Sequence, residues 1–199
     1  MKRLILALSA LLVLTTGCSS GADASGSDDA AVDPKVPTPV AASNTYNDDD
    51  VMFLQMTITH SKQGLEIVKF GREKGSAEVK EFANAIDATE KYEVEQMKVW
   101  LKGWNKDPNA SMDPNLHADH GGLPGTTDDV MADLKSSTGE DFDKKFLTAL
   151  SGHQGAALEL ALNEEKKGAN PESKDLAKRI KESRSEEVSQ CLKMLNPQQ

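Results

Sequence analysis

Residues 50–75 read DVMFLQMTITHSKQGLEIVKFGREKG, and residues 143–168 read DKKFLTALSGHQGAALELALNEEKKG. Asp50, Phe53 and His60 align with Asp143, Phe146 and His153 at an offset of 93. Glu66 aligns with Glu159, and Lys74 and Gly75 with Lys167 and Gly168. One further residue then enters. At an offset of 94, Ala83, Ile86, Glu93, Val94, Gln96 and Leu101 align with Ala177, Ile180, Glu187, Val188, Gln190 and Leu195. Self-similarity of this length, carried through a one-residue slip, reads as one supersecondary unit present twice.

Each copy reads as two helices. Phe53, Met56, His60, Gly64, Ile67 and Phe70 recur at three- and four-residue steps, which places them on one helical face. Gly75 and Ser76 break that helix, and Ser76 can cap the next. Val79, Phe82, Ile86, Glu90, Glu93, Met97 and Trp100 form the stripe of the second helix. In the other copy the stripes are Phe142, Phe146, Ala149, His153, Ala157 and Leu160, then Leu176, Ile180, Ser183, Glu187, Cys191 and Met194. Pro171 stands where a first-turn proline is tolerated. The expectation is an all-α, antiparallel four-helix bundle over residues 48–195. Repeat one is 48–104, the link 105–138 and repeat two 139–195, with a short helix near 127–136 that Thr126 or Thr127 starts.

Outside the bundle the chain changes character. Lys2 and Arg3 precede an apolar run from Leu4 to Leu14, too short to span a bilayer and typical of an export signal. Thr15, Thr16 and Gly17 then lead to Cys18, which resembles a bacterial lipoprotein cleavage box. That resemblance implies a signal peptide at 1–17, lipidation of Cys18 and an extracytoplasmic protein anchored to the cell membrane. Residues 18–47, rich in Ser, Gly, Ala, Asp and Pro, bury too little to order themselves and read as a flexible tether of about 30 residues, roughly 30 Å in r.m.s. span.

The chain of 199 residues carries a net charge of −9, which repels nucleic acid and anionic lipid and excludes both as electrostatic partners. No nucleophile elbow, phosphate loop, CxxC or zinc-protease motif is present, and a non-enzymatic binding role is expected. The only other cysteine is Cys191, and a disulfide to Cys18 is open on paper.

The polar residues on the apolar stripes hold the chemistry. His60 and His153 stand at equivalent positions, as do Glu93 and Glu187. One reading makes them two buried His–Glu pairs that fix helix register. The other makes them part of a metal site. Met56, Met97 and Cys191 add soft donors on the same stripes, and soft ligands with imidazole suit copper. Thioethers and thiols on a helical stripe are also ordinary core filler. His117 and His120 flank Asp119 in the link and offer a loop site for copper or zinc, or simply a solvated loop. No Glu-x-x-His occurs, which argues against di-iron oxidase chemistry.

Taken together, Asp50, Phe53, Met56 and His60, the Gly121-to-Gly125 link GGLPG, and Asp143, Phe146, His153 and Gln154 resemble a family of secreted bacterial ferritin-like, His- and Met-rich four-helix proteins of unassigned function. The resemblance covers about residues 48–195. It implies a four-helix fold and, from some members, a copper-binding role in the cell envelope. The chain departs from the family pattern at Ser61 and Gln154, where second histidines are expected, and at Ala149, Leu150, Glu159 and Leu160, where sulfur is expected. Two functions follow as expectations: a tethered protein that binds or buffers a transition metal, copper first, or a structural or interaction module that serves another envelope protein.

Overall fold

A computed structural model describes residues 37–109 and 126–197. The described residues form five helices: α1 (Asp48–Lys74), α2 (Ala77–Gly103), α3 (Asp128–Ser136), α4 (Gly139–Lys167) and α5 (Pro171–Leu195). Local chemistry sets their starts. Asn47 and Asp50 form a reciprocal capping box on α1. Ser76 caps α2 through Val79 N–H, Thr127 caps α3 through Val130 N–H, and Asn170 caps α5 through Ser173 N–H. Pro171 occupies the first turn of α5, as its missing N–H permits.

The four long helices are antiparallel. α1 packs on α2 and on α4, and α4 packs on α5. Asp50, near the start of α1, accepts from the backbone N–H groups of Ala169 and Asn170, just beyond the end of α4, at 2.9–3.2 Å. Asp143, near the start of α4, accepts from the N–H of Ser76, just beyond the end of α1, at 3.1 Å. These two contacts exchange under the 93-residue offset.

Two apolar clusters fill the interior. One joins the start of α1 (Phe53, Leu54, Met56) to the end of α2 (Met97, Trp100) and the start of α5 (Leu176). The other joins the end of α1 (Ile67, Val68), the start of α4 (Phe142, Phe146), Leu134 of α3 and Cys191. At Gly71 the helices α1 and α4 approach closely, because a Cβ there would stand 2.5 Å from Phe146 Cζ. Between the clusters every long helix contributes buried polar residues instead: His60 and Ser61, Glu90 and Glu93, His153 and Gln154, and Arg184. The interior is therefore two hydrophobic compartments separated by a polar belt.

The sequence reading carries the tether to residue 47, but the structure straps residues 40–47 onto the bundle. Gln96 donates to the carbonyl of Val40 and accepts from its N–H, at 2.6 and 3.1 Å. The indoles of Trp100 and Trp104 donate to the carbonyls of Val40 and Ser43, each at 2.8 Å. Tyr46 stacks on Trp104 with ring centroids 4.4 Å apart, and Asn170 donates to the carbonyl of Thr45. The bundle's own side chains thus satisfy the strap's backbone, which an apolar count along the strap does not reveal. The expected signal peptide, the lipidated Cys18, the rest of the tether, and His117 and His120 lie outside the described residues.

Beside the start of α1 sits a buried acid. Glu164, 1% exposed, has no hydrogen-bond donor to either carboxylate oxygen. Burial, then a hydrogen-bonding contact with the Asp50 carboxylate, pushes it from 4.5 up to about 9. Between those values the folded chain holds a proton that the unfolded chain has released, so stability falls as pH rises through that window. Glu164→Gln, neutral at every pH, is expected to flatten this alkaline loss. Urea melts of both proteins near pH 6 and pH 9 check it; equal losses in both would refute the assignment.

Candidate functional site in the polar belt

His60 and His153 meet at the centre of the belt, where α1 and α4 cross. Their rings are parallel, with centroids 3.8 Å apart and planes 8° from coincident. His60 Nε2 lies 3.1 Å from the His153 carbonyl oxygen. A carbonyl only accepts, so that nitrogen carries a proton and donates. His153 Nδ1 pairs with the Thr126 hydroxyl at 3.1 Å. Burial, then the His60 ring and the Arg184 guanidinium, push His153 from 6.5 down to about 3 against a hydrogen-bonding contact with the His60 backbone, which keeps the imidazole neutral. Stacking also rules out a shared chelate in this arrangement. The in-plane lone pairs of two parallel rings run in separate planes and do not converge on one ion.

The sequence reading pairs these imidazoles with Glu93 and Glu187. The structure does not, and the partner it supplies is Arg184. This guanidinium is 1% exposed. Its Nη2 donates to Glu93 Oε2 at 2.5 Å and lies 3.5 Å from Glu90 Oε1, and its Nη1 reaches Glu187 Oε1 at 3.4 Å. Burial opposes the charge, but Glu93, Glu90 and Glu187 together outweigh it and hold Arg184 above its ordinary value. Gln154 completes the network by donating to Glu90 Oε1 and Glu187 Oε2, at 2.9 and 2.7 Å. Burial raises Glu90 and takes Glu187 to about 7, against the pull of Arg184. Arg184 stands one residue from Ser183, which the stripe reading chose. The signal that finds it is the 94-residue offset, which aligns it with Glu90 and so sets opposite charges at equivalent positions.

Met56 and Met97 lie together in one apolar cluster, while Cys191 lies in the other. The soft donors named from sequence are therefore divided between two compartments. Burial, then Glu187, pushes the Cys191 thiol up to about 12, so it is a protonated, apolar-packed group rather than a thiolate ligand. Among the described residues no group of three or more His, Cys, Asp and Glu side chains is arranged to hold a metal. Two orphaned atoms do remain in the belt: His153 Nε2 and Glu90 Oε2 are buried with no hydrogen-bond partner. An imidazole nitrogen and a carboxylate oxygen are donor types that metals use, but among the described residues the belt supplies no third His, Cys, Asp or Glu to complete a site around them.

These features define a class: an all-α bundle of paired helical hairpins with a buried imidazole and carboxylate centre. The chain belongs to the family described as domain of unknown function (DUF305), whose model matches residues 50–195. A DUF305 fragment from Deinococcus radiodurans is 22% identical, covers 76% of this chain and 97% of its own, and superposes with a TM-score of 0.66. A DUF305 protein from Streptomyces coelicolor, described as secreted, is 23% identical over 74% of this chain and 91% of its own, with a TM-score of 0.69. CopM in its Cu(I)-bound form is 22% identical over 73% and 94%, with a TM-score of 0.60. CopM is also known in Cu(II)- and Ag-bound forms. No curated protein matches the chain. No helix among the described residues is long and apolar enough to cross a membrane.

Proposed function

We propose that this chain is an extracytoplasmic, lipid-anchored metal-binding protein rather than an enzyme, taking a transition metal of the cell envelope, copper first. The observation that carries the reading is His153. It is a buried imidazole held neutral at physiological pH, and its Nε2 has no hydrogen-bond partner. A buried imidazole nitrogen without a well-formed partner is a standing cost unless something binds it. The fold shared with CopM, known in copper- and silver-bound forms, points the same way. Export through residues 1–17 and acylation at Cys18 place the domain where envelope copper is met. The reciprocal Asp50 and Asp143 contacts support an origin by duplication of one hairpin.

A ligand that binds only the folded state raises its stability by mass action. Stoichiometric copper is therefore expected to raise the thermal midpoint of the full chain, in proportion to the logarithm of free copper once the site is saturated. An unchanged melt with copper in either oxidation state ends this reading.

One observation favours a second reading, an interaction module for another envelope protein. Where the family pattern has an imidazole, Gln154 is committed to bridging Glu90 and Glu187. A bundle rebuilt around a static polar network can keep the fold without the metal, and this reading predicts the unchanged melt.

A further inference from the structure

The strap is held by its main chain. Among the described residues, six hydrogen bonds join four bundle side chains to strap backbone atoms. Gln96 takes the N–H and the carbonyl of Val40, and Trp100 takes the same carbonyl. Trp104 takes the carbonyl of Ser43, and Asn170 those of Ser43 and Thr45. Gln96, Trp100 and Trp104 follow at four-residue steps and so form one ladder along α2. The strap's own side chains add little. Val40 is 65% exposed although its N–H and carbonyl are both bonded, and Ser43, Asn44 and Thr45 are exposed. Ala42 and Tyr46 are the strap side chains that pack on the apolar cluster, and Tyr46 stacks on Trp104. Docking through the main chain selects a conformation rather than a sequence, as in grooves that take proline-rich or strand-like segments. Pro37 and Pro39 bias the start of the strap toward that extended conformation.

Such docking is reversible. Each hydrogen bond replaces one to water and gains little, while ordering the strap costs backbone entropy at every residue. Emptied, the groove leaves two indole N–H groups and the Gln96 amide without these partners, and uncovers rings now 3% and 6% exposed. An extended segment from another molecule satisfies the same groups if it carries a small residue in place of Ala42 and an aromatic one in place of Tyr46. A second copy of the chain gains nothing by this route. Exchange of straps between identical copies remakes the same contacts and loses the freedom of two separate molecules. A segment of a different protein gains by adding contacts at the positions the strap leaves exposed. We infer that the groove of Gln96, Trp100, Trp104 and Asn170 is a docking site for an extended segment of another protein, with a small residue four positions before an aromatic one, and that the strap is its built-in competitor. The inference rests on the interaction-module reading, names its surface and needs no metal.

The probe is a labelled synthetic peptide with the sequence of residues 37–46, PTPVAASNTY, followed by fluorescence polarisation against the full chain. Tyr46→Ala in the protein weakens the strap's own hold and leaves the groove side chains in place. The peptide is expected to bind Tyr46→Ala more tightly than wild type by roughly tenfold or more, because the competent state is then more populated. Methylating the backbone nitrogen of the peptide's Val40 equivalent removes the N–H that Gln96 accepts, and lowers affinity by roughly tenfold. Gln96→Ala added to Tyr46→Ala lowers it likewise. A peptide with serine in place of Val40 and Asn44 binds as well as the parent. If the double variant does not fold, the methylated peptide decides the matter. No binding to Tyr46→Ala, or binding indifferent to methylation and to Gln96→Ala, overturns the inference. Concentration-dependent dimers of the wild type that the peptide dissolves would seat a second copy's strap in the groove and overturn the assignment to a different protein. Failure of the peptide removes this surface alone, whereas the interaction-module reading falls separately, to a melt raised by copper.

Discussion

Arg184→Met lowers the unfolding free energy by about 3–5 kcal/mol at neutral pH. Methionine approximates the volume of the arginine stem, so the loss is electrostatic rather than a cavity. It leaves Glu90 and Glu93 buried without their cation and Glu187 without its nearest donor charge. Buried ion pairs add little relative to apolar replacements of the whole group, but removing one partner leaves the others uncompensated. The loss has a signature that packing damage lacks. Carboxylates deprived of Arg184 take up protons more readily, so the deficit shrinks as pH falls and they neutralise. Urea melts at neutral and mildly acidic pH measure both effects. A deficit under about 1 kcal/mol, or one independent of pH, would show that Arg184 does not neutralise the belt.

Asp50→Ala is the second large effect. This carboxylate accepts from three backbone N–H groups, those of Asn47, Ala169 and Asn170, and so ties the start of α1 to the start of α5. Each buried donor left without an acceptor costs about 1–3 kcal/mol, and the losses overlap, so about 2–5 kcal/mol is expected in total. Asp143→Ala removes the equivalent contact at the other end of the bundle. There a single exposed bond to Ser76 N–H is lost, and under about 1 kcal/mol follows. Paired chemical denaturation of the two variants tests the asymmetry, and equal losses would contradict it.

Much of the fold is legible along the chain because burial in a helix bundle has a period. Phe53, Ile67, Ile86, Phe146 and Ile180 mark the core faces by spacing alone, and Ser76 and Pro171 mark helix starts by their side-chain chemistry. The same periodicity puts His60, Glu90, Glu93 and His153 inside. It does not say which partner each one faces, because pairing across helices depends on axial level and rotation. That is why the imidazoles stack on each other rather than pairing with carboxylates. Arg184 escapes a reading by residue type, since arginine is rarely buried unless paired. The strap is invisible for another reason: its order comes from Gln96, Trp100, Trp104 and Asn170 on the bundle, not from any pattern within residues 40–47.

The metal-binding proposal turns on the polar belt, since the soft donors are divided between the two apolar clusters. Gln154 and Arg184 tie up Glu90, Glu93 and Glu187, and His153 Nε2 and Glu90 Oε2 are left buried without a partner. The decisive measurement is anomalous diffraction at the zinc or copper absorption edge from crystals of the metal-loaded full chain. A single anomalous peak in the polar belt beside His153 is predicted. A loaded crystal with no peak in the belt, or with its ion bound only elsewhere, would contradict the account.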